Sequence, residues 1–493
     1  ISKDYNKFNK QIIDLDKKLL INNEEVNYSG SELRRRQFLS GYSIEDLELI
    51  LHPMVEEAKE AVGSMGDDTP VAVLSGHFRP LSHYFRQNFS QVTNPPIDSL
   101  RENKIMSLKT RFGNLGNILD FNNLTEDNIF VLDSPILTNS QLRKFKKIFS
   151  KKIRVIDCTF NTSESLKSNL ERIKSESETA VREGGTTLIL SDKNISNKRT
   201  YIPMVLAVGA INSNLVKLGL RGYCSINVET SETLDTHSFA VLIGVGATTV
   251  NPYLTIDSIN QRFQKKLFGK LNFNECVKRY KKSVENGLLK IMSKMGISII
   301  SSYRGGCNFE TVGLSRALVT DYFPGMISRI SGIGIIGIEE KLKSLHSKAF
   351  KKDVHILPIG GIYKYRKSGE NHQFQGNLIH TLQHAVSTGS YETYKKYSNG
   401  IHGLDPINLR DLLDFKTTKK PINIDEVEKI ESLTKRFGSG SMSHGALSAE
   451  AHETLAIGMN RIKGASCSGE GGEDSRRFKI LENGDTANSR VKQ

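Results

Sequence analysis

Short apolar runs that alternate with longer helical patterns constrain the fold of this chain most strongly. Five runs rich in β-branched and aliphatic residues favour strands. They are PVAVLS (70–75), KIRVIDCTF (152–160), TTLILSD (186–192), CSINVE (224–229) and FAVLIG (239–244). Helical patterns lie between several of them, and such alternation predicts an α/β domain with a mainly parallel sheet. We expect the first, third and fifth runs to be adjacent buried strands of one domain, residues 43–330.

Two further helices are predicted outside this alternation. SIEDLELILHPMVEEAKEAV (43–62) carries acids in its first turn, where the helix dipole favours them, and NLIHTLQHAVSTG (377–389) is amphipathic. A connector rich in Lys and Asp then runs to about Lys429. His380 and His384 share one face of the second helix, but no third ligand is evident, so we interpret them as helix-surface residues and predict no metal site.

Composition limits the class of protein. Residues of the AVILMFWYC set make up 38% of 493 residues, which is enough for a large core and two or more domains. The longest apolar stretch, residues 202–211, is far shorter than the ~18 residues that span a bilayer, so we predict no membrane anchor. Five widely separated cysteines without a CxxC pair favour a reducing, cytoplasmic setting over disulfides or structural zinc.

The net charge of +14 raises nucleic acid as a possible partner. The lysines, however, form short clusters spread over the whole chain rather than one basic arm. Solvated helix faces explain such clusters, and we predict no nucleic-acid partner.

One glycine-rich motif suggests a nucleotide site. GIGIIG (332–337) matches G-x-G-x-x-G, opens a helical stretch and is followed by Asp353. A dinucleotide fingerprint also needs a buried strand directly before it, and the preceding MISRIS is a poor candidate. We therefore favour a tight helix-entry turn and keep a nucleotide-binding module as the lesser alternative.

The most distinctive unit lies near the end, at residues 435–464. KRFGSGSMSHGALSAEAHETLAIGMNRIKG predicts a short strand, a small-residue turn and a helix capped by Ser448, with Gly464 as its C-cap. The predicted apolar face of that helix is Ala451, Leu455, Met459 and Ile462. In a (β/α)8 barrel the carboxyl edge of such a strand is the active face, although a generic strand–helix turn has the same pattern.

Long motifs resemble the glutamate synthase family. SMSHGALSAEAHETLAIGMNRIKGASCSGEGGED (441–474) is similar to the opening of that family's flavin-binding barrel. Segments that resemble the family's central region follow its order: GSMGDDTPVAVLS (63–75), FRQNFSQVTNPPIDSLRENKIMSLKTRFGNLGNIL (85–119), HSFAVLIGVGATTVNPYL (237–254), SYRGGCNFETVGL (302–314), GGIYKYRKSGENHQF (360–374) and GSYETYKKYS (389–398) with LRDLLDFK (409–416). The second of these looks more like the bacterial NADPH-dependent large subunit than the ferredoxin-dependent form.

The resemblance implies a domain plan in which the chain is a fragment. Residues 1–40 would be the tail of an N-terminal glutaminase domain, 41–345 the central domain, 346–429 a connector with helices, and 430–493 the truncated start of an FMN-binding (β/α)8 barrel. The family's nucleophilic cysteine and its 3Fe–4S cysteines would lie outside this chain. We therefore expect no catalytic residue or metal ligand here, no activity of the chain alone, and weak FMN binding at most.

The implied activity is reductive transfer of the glutamine amide nitrogen to 2-oxoglutarate, which gives two L-glutamate. FMN and a 3Fe–4S cluster would serve the intact enzyme, with NADPH and FAD acting through a small electron-supplying β subunit. This segment would form the spacer, the wall of the ammonia tunnel and the first part of the flavin site. The location would be the cytoplasm, or the plastid stroma for a ferredoxin type. The alternative is a non-catalytic α/β interaction domain.

The resemblance also assigns site residues. Those that match the flavin side are Ser441, Met442, Ser443, Lys492 and Gln493, and those that match the tunnel and active-site loop are Glu470, Glu473 and Asp474. The chain departs from the family's pattern at His444, Ala446 and Cys467, where an aromatic residue, Ser and Asn are usual. We expect the loop at 464–474 to be mobile because it lacks partner loops to pack against.

Overall fold

The chain divides into two compact units, Ile1–Leu412 and Leu413–Gln493. The computed structural model describes residues 12–19, 24–61, 66–89, 97–98, 100–113, 129–351, 354, 356–417 and 419–492. Asp353 and Gln493 therefore lie outside the described residues. The division after Leu412 falls within the connector expected at 346–429.

The strands of the first unit are β1 (Ile12–Asp14), β2 (Phe85–Gln87), β3 (Thr110–Phe112), β4 (Ile129–Leu132), β5 (Ile153–Asp157), β6 (Thr159–Asn161), β7 (Thr187–Ser191), β8 (Arg199–Tyr201), β9 (Ser225–Glu229), β10 (Thr249–Asn251), β11 (Phe309–Leu314) and β12 (Ile327–Ile333). Its main sheet has the order β10-β9-β7-β5, and all neighbours pair in parallel. Two three-stranded sheets, β1-β4-β3 and β12-β11-β2, and the pair β6-β8 complete the strands described.

The α-helices of this unit are α1 (Gly30–Leu39), α2 (His52–Glu56), α3 (Glu102–Ile105), α4 (Asn139–Ile148), α5 (Leu166–Arg182), α6 (Met204–Lys217), α7 (Thr236–Gly244), α8 (Tyr253–Gln264), α9 (Phe273–Met295), α10 (Ile300–Tyr303), α11 (Arg316–Tyr322), α12 (Ile335–Lys351), α13 (Gly376–Thr388) and α14 (Tyr391–His402). A π-helical turn, Asp46–Leu51, runs into α2, and 3-10 turns lie at Leu81–Tyr84, Arg221–Tyr223 and Leu409–Leu412.

The main sheet confirms the predicted α/β fold with a parallel sheet. Its strands follow one another in chain order, and helices α5, α6 and α7 make the three crossovers. β7 and β9 are buried at every residue, and the first eight residues of α6 are buried as well. Continuous apolar runs are therefore required on both the strands and the helix that covers them.

The prediction of three adjacent strands is wrong for two of the three sequence runs. Residues 239–244 belong to helix α7, in which Asp235 caps the first turn by accepting a hydrogen bond from the Ser238 N–H at 2.9 Å. The run is buried on all sides, so its composition alone does not distinguish a helix from a strand. Residues 70–75 form a turn closed by the Leu74 N–H and the Val71 carbonyl at 2.8 Å, and only the run at 186–192 forms a sheet strand.

Two other local predictions need correction. The helix predicted over residues 43–62 begins as the π turn and ends at Glu56, and Ala58 has a positive φ of 53°. A strand does precede GIGIIG, since β12 ends at Ile333, but it is mostly exposed. A Cβ on Gly332 would lie 2.0 Å from the Gly313 carbonyl oxygen, so close packing of β12 on β11 accounts for that glycine.

The second unit is built around two short parallel strands and one helix. Its strands are β13 (Gly438–Ser441) and β14 (Ala465–Cys467), and its helices are α15 (Ile430–Thr434) and α16 (Ala449–Arg461). Short 3-10 turns lie at Ile424–Glu426, Gly469–Gly471 and Ser475–Phe478. The predicted strand–turn–helix order near the end of the chain is confirmed. Among the residues described in both units, no helix is long and apolar enough to cross a membrane.

Candidate functional site

Three parallel segments of the second unit end at one edge. β13 pairs with β14 so that Gly438 faces Ala465 and Ser441 faces Cys467. Val491 then adds a parallel bridge on the other side of Cys467. Because parallel segments direct their carboxyl ends the same way, the residues that follow each segment lie together.

The residues expected on the flavin side lie at this edge: Ser441, Met442, Ser443 and Lys492. The Met442 N–H donates to the Cys467 carbonyl at 3.4 Å, and the Ser468 hydroxyl donates to the Lys492 carbonyl at 2.6 Å. A chain of hydrogen bonds thus connects the end of β13 with residue 492. The remaining expected residue, Gln493, lies outside the described residues.

Helix α16 begins as predicted, but the face that it buries is not the predicted apolar face. Ser448 caps it by accepting a hydrogen bond from the Ala451 N–H at 3.3 Å. Leu455 is 36% exposed, whereas His452 and Ala456 are buried. Ala451, Leu455 and Met459 do share one face of the helix, as predicted, but this face is largely exposed, and Ile462 follows the end of the helix.

The C-cap prediction is also wrong. Gly464 does not adopt the left-handed conformation; Lys463 does, with a φ of 61°. The Gly464 N–H donates to the Met459 carbonyl at 2.9 Å. A Cβ on Gly464 would lie 2.7 Å from the Met459 methyl and 3.2 Å from the Phe437 carbonyl, so close packing against β13 explains the glycine.

A buried polar chain connects the helix with the strand end. His452 donates from Nε2 to the Met442 carbonyl at 2.8 Å, and its Nδ1 accepts from Arg477 Nη1 at 2.7 Å. Because arginine can only donate, this pair fixes the Nε2–H tautomer of His452. Arg477 also donates to the Ala487 carbonyl from Nε and Nη2, at 2.9 and 2.7 Å. Neither His452 nor Arg477 was predicted as a site residue. The signal in the sequence was a histidine within an amphipathic helix.

Glu473 extends that chain to the edge. Its side chain is 1% exposed and contacts Arg477 at 3.4 Å and Lys492 Nζ at 2.6 Å. The Ser489 N–H donates to its Oε1 at 2.8 Å. Burial opposes ionisation of Glu473, but the hydrogen bonds from Lys492 and Ser489 outweigh it, so the pKa of this carboxyl is lowered. The arrangement holds the Lys492 ammonium against the loop.

The other two acids of the loop have different environments. Asp474 caps the turn Ser475–Phe478 by accepting from the Arg476 N–H at 3.0 Å. Glu470 is exposed, and no contact of its carboxylate is found among the described residues. The expectation that the loop lacks partners is wrong, because β14, the buried Ser468 and Glu473 tie residues 464–474 to the rest of the unit.

Gly469 lets the loop pack closely against the end of β13. A Cβ on Gly469 would lie 3.0 Å from the Met442 carbonyl carbon and the Ser443 nitrogen, so this glycine permits contact between the loop and the end of β13. Ser441 is exposed there, and hydrogen bonds from its hydroxyl and the Gly469 backbone lower the pKa of the Cys467 thiol. The donor set consists of backbone amides, hydroxyls and one ammonium.

Nothing in the described part of the chain resembles a metal centre. No group of three His, Cys, Asp or Glu side chains is arranged there to hold an ion. The five cysteines are all free, and three of them are buried.

Comparison with known proteins covers both units. Residues 35–315 match the family model of the glutamate synthase central domain, and residues 372–493 match the conserved region in glutamate synthase. The glutamate synthase [NADPH] large chain of Azospirillum brasilense is 53% identical over 97% of this chain and 32% of its own length. The corresponding large chain of Bacillus subtilis (strain 168) is 42% identical over 94% of this chain and 30% of its own.

A ferredoxin-dependent glutamate synthase from Pyropia yezoensis is 39% identical over 97% of this chain and 33% of its own length. The chain thus spans about one third of the curated relatives that it matches. Two family matches and high identity across both units lead to one conclusion: this chain belongs to the glutamate synthase family.

Proposed function

We propose that this chain is the central part of a glutamate synthase large chain of the NADPH type. The intact protein would transfer the amide nitrogen of L-glutamine to 2-oxoglutarate and reduce the product to L-glutamate. The observation that carries this proposal is the 53% identity, over 97% of this chain, with a protein named glutamate synthase [NADPH] large chain. A cytoplasmic location and a small electron-supplying subunit that uses NADPH and FAD belong to the same proposal.

The first unit would act as the spacer and as a wall of the ammonia tunnel. Strands β7 and β9 of its main sheet are buried at every residue, and its most buried carboxylate at a strand end, Asp192, accepts hydrogen bonds from Thr230, Ser231 and Tyr253. A saturated network of this kind suits a structural role. Residues 41–345 would form this domain, residues 1–40 would connect it to a glutaminase domain, and residues 346–429 would connect it to the barrel.

The second unit would be the first module of an FMN-binding barrel. The donors at its edge fit part of a flavin: the backbone from Ser441 to Ser443 for the ring system, and the Lys492 ammonium for negative charge on the reduced flavin or the substrate. Gln493 would extend the same edge. FMN, when bound, supplies the hydride. The residues of this chain would orient the flavin and help to exclude water.

The loop acids would have separate roles. Glu473 would position Lys492, because its carboxylate already holds the ammonium at 2.6 Å. Asp474 would shape the loop as a cap, and Glu470, exposed and free of contacts among the described residues, would accept hydrogen bonds from ammonia. The 3Fe–4S cluster would draw its ligands from other parts of the intact protein, since the five cysteines here are far apart in sequence.

A chimera tests the flavin proposal. This chain replaces the aligned third of the Azospirillum large chain, and FMN per polypeptide is measured by fluorescence after acid release. We expect one FMN per chimera, a clear loss of FMN with Lys492→Met, and no loss with the exposed control Lys479→Met. A folded chimera without FMN would contradict the proposal and favour a non-catalytic interaction domain.

A further inference from the structure

The first unit contains a cavity of about 310 Å³ that is lined by residues of that unit. Six parts of the unit line it: the turn that follows α1, the π-helical turn, the loop at 76–83, the β9–α7 connection, the end of α12 and the loop at 358–370. Glu45 fixes the last loop by accepting hydrogen bonds from the N–H groups of Gly361 and Ile362 at 2.7 and 2.6 Å. The wall is therefore built by long-range contacts rather than by one flexible segment.

Three carboxylates line the cavity in the same partly satisfied state. One oxygen of Asp46 accepts from the Ser43 N–H and hydroxyl, one oxygen of Glu232 accepts from the Met204 N–H, and one oxygen of Asp235 accepts from the Ser238 N–H. The second oxygen of each has no hydrogen-bond partner among the described residues. None of these three oxygens is one of the fully buried polar atoms that lack a partner, so each keeps some surface that a small molecule can reach.

The remaining charges do not neutralise these carboxylates. Among the described residues, the other ionisable groups of the wall are Tyr42, His77, Arg79, His83, Lys348, Tyr363 and Glu370. Arg79 pairs with Glu370 at 3.1 Å, which cancels both charges. Burial lowers the pKa of His83 to about 4 and raises the pKa of Tyr42 and of Tyr363, so these groups are uncharged at pH 8.5, and Lys348 offsets one of the three carboxylates. The lining groups then carry a net charge of about −2, that is, three carboxylates less one ammonium.

Two further observations indicate that a donor is missing. Ser40 lines the cavity, is only 1% exposed, and its hydroxyl has no hydrogen-bond partner among the described residues. Burial raises the pKa of Glu232 to about 8. Burial, together with the negative charge of Asp235, raises the pKa of Asp46 to about 6. Buried acceptors that lack donors cost free energy, which a ligand with N–H groups would recover.

We propose that this cavity binds a small organic cation that carries two primary ammonium groups. Each ammonium offers three N–H donors, which match the free carboxylate oxygens. Two positive charges match the net charge of the lining, and a volume of about 310 Å³ lies within the range of small-molecule sites.

The experiment is isothermal titration of the purified chain with 1,4-diaminobutane at pH 8.5, with tetramethylammonium chloride holding the ionic strength constant. We expect saturable binding of one molecule per chain. 1,4-Butanediol, which has the same length but no charge, should give no saturable heat. Because protonation of Asp46 and Glu232 removes their negative charges, the affinity should fall at least tenfold at pH 5.5.

Variants locate the site. Glu232→Gln and Asp46→Asn keep the side-chain volume and an oxygen acceptor, and each should weaken diamine binding at least tenfold. The matched control Glu178→Gln, on the outer surface of α5, should bind as the unmodified chain does. No saturable binding of the diamine, equal binding of the diol, or unchanged affinity in both cavity variants would overturn the proposal. The comparison of diamine with diol decides it even if a variant loses its fold.

Discussion

Replacement of Glu473 by glutamine tests how the loop of the second unit is held. The carboxylate is almost fully buried and contacts two cations that differ in exposure: Arg477 is 3% exposed and Lys492 is 52% exposed. Glu473→Gln keeps the size of the side chain and an acceptor for the Ser489 N–H. It removes the charge, however, and leaves the buried guanidinium of Arg477 without a counterion.

The magnitude follows from this difference in exposure. Loss of one partner of a buried ion pair costs about 3–5 kcal/mol, whereas an exposed pair contributes about 0–1 kcal/mol. Arg477 keeps its hydrogen bonds to Ala487 and His452, so we expect the low end, ~3 kcal/mol, for Glu473→Gln. Lys492→Met should cost less than ~1 kcal/mol. The exposed control Glu482→Gln should stay within ~0.5 kcal/mol.

Hydrogen exchange measured by mass spectrometry is the suitable assay, because peptides from residues 465–492 report on the second unit separately from the first. The pH dependence has a defined sign. The pKa of Glu473 is lowered, so its contribution to stability is complete above the ordinary value of 4.5 and is lost as the pH falls through the lower folded-state value. The reasoning is refuted if Glu473→Gln costs no more than the control, or if Lys492→Met costs as much as Glu473→Gln.

Two other predictions concern the first unit. Burial raises the pKa of Glu232 from 4.5 to about 8, so its ionisation destabilises the fold progressively as the pH rises through that window. Solvent in the cavity screens part of this cost, so Glu232→Gln should stabilise the chain by ~2 kcal/mol at pH 9 and by little at pH 4. Urea unfolding followed by circular dichroism measures the free energy of unfolding at both pH values. Equal effects of the substitution at the two pH values would refute the assignment. Gly332→Ala should cost ~2 kcal/mol or more because its Cβ would meet the Gly313 carbonyl, whereas Gly334→Ala, with 3.5 Å of space, should cost less than ~1 kcal/mol. Comparable losses in the two variants, or saturable NADPH binding that Gly334→Ala abolishes, would show that GIGIIG is more than a packing motif.

The sequence predicted the parts of the fold that depend on local periodicity and capping. Alternating apolar runs identified β5, β7 and β9, and Ser448 was correctly placed as the cap of α16. The run at 239–244 was assigned wrongly because a helix buried on every side has no polar face to reveal its period. The cap residue Asp235, four positions before that run, carried the missing signal.

The candidate site was predictable only in part, for a different reason. Resemblance to a family assigned Ser441 to Ser443 to the flavin side and Glu473 to the tunnel loop, and these roles stay predictions. The partners of Glu473, by contrast, are Arg477, four positions further on, and residues 489 and 492, and contacts of such different spacing leave no periodic pattern in a sequence. The carboxylate cavity was not predicted either, because Asp46 and Glu232 are 186 positions apart in the sequence.

The measurement that tests the central claim most directly is the glutamate synthase reaction of the chimera in which this chain replaces the aligned third of the Azospirillum large chain. The chimera is combined with the small electron-supplying subunit that belongs to the proposal, and glutamate is determined alongside NADPH oxidation. If this chain is the central part of a glutamate synthase, two glutamates should form for each NADPH oxidised, and omission of either glutamine or 2-oxoglutarate should stop the reaction. A chimera that folds and retains FMN but oxidises no NADPH when both substrates are present would contradict the claim.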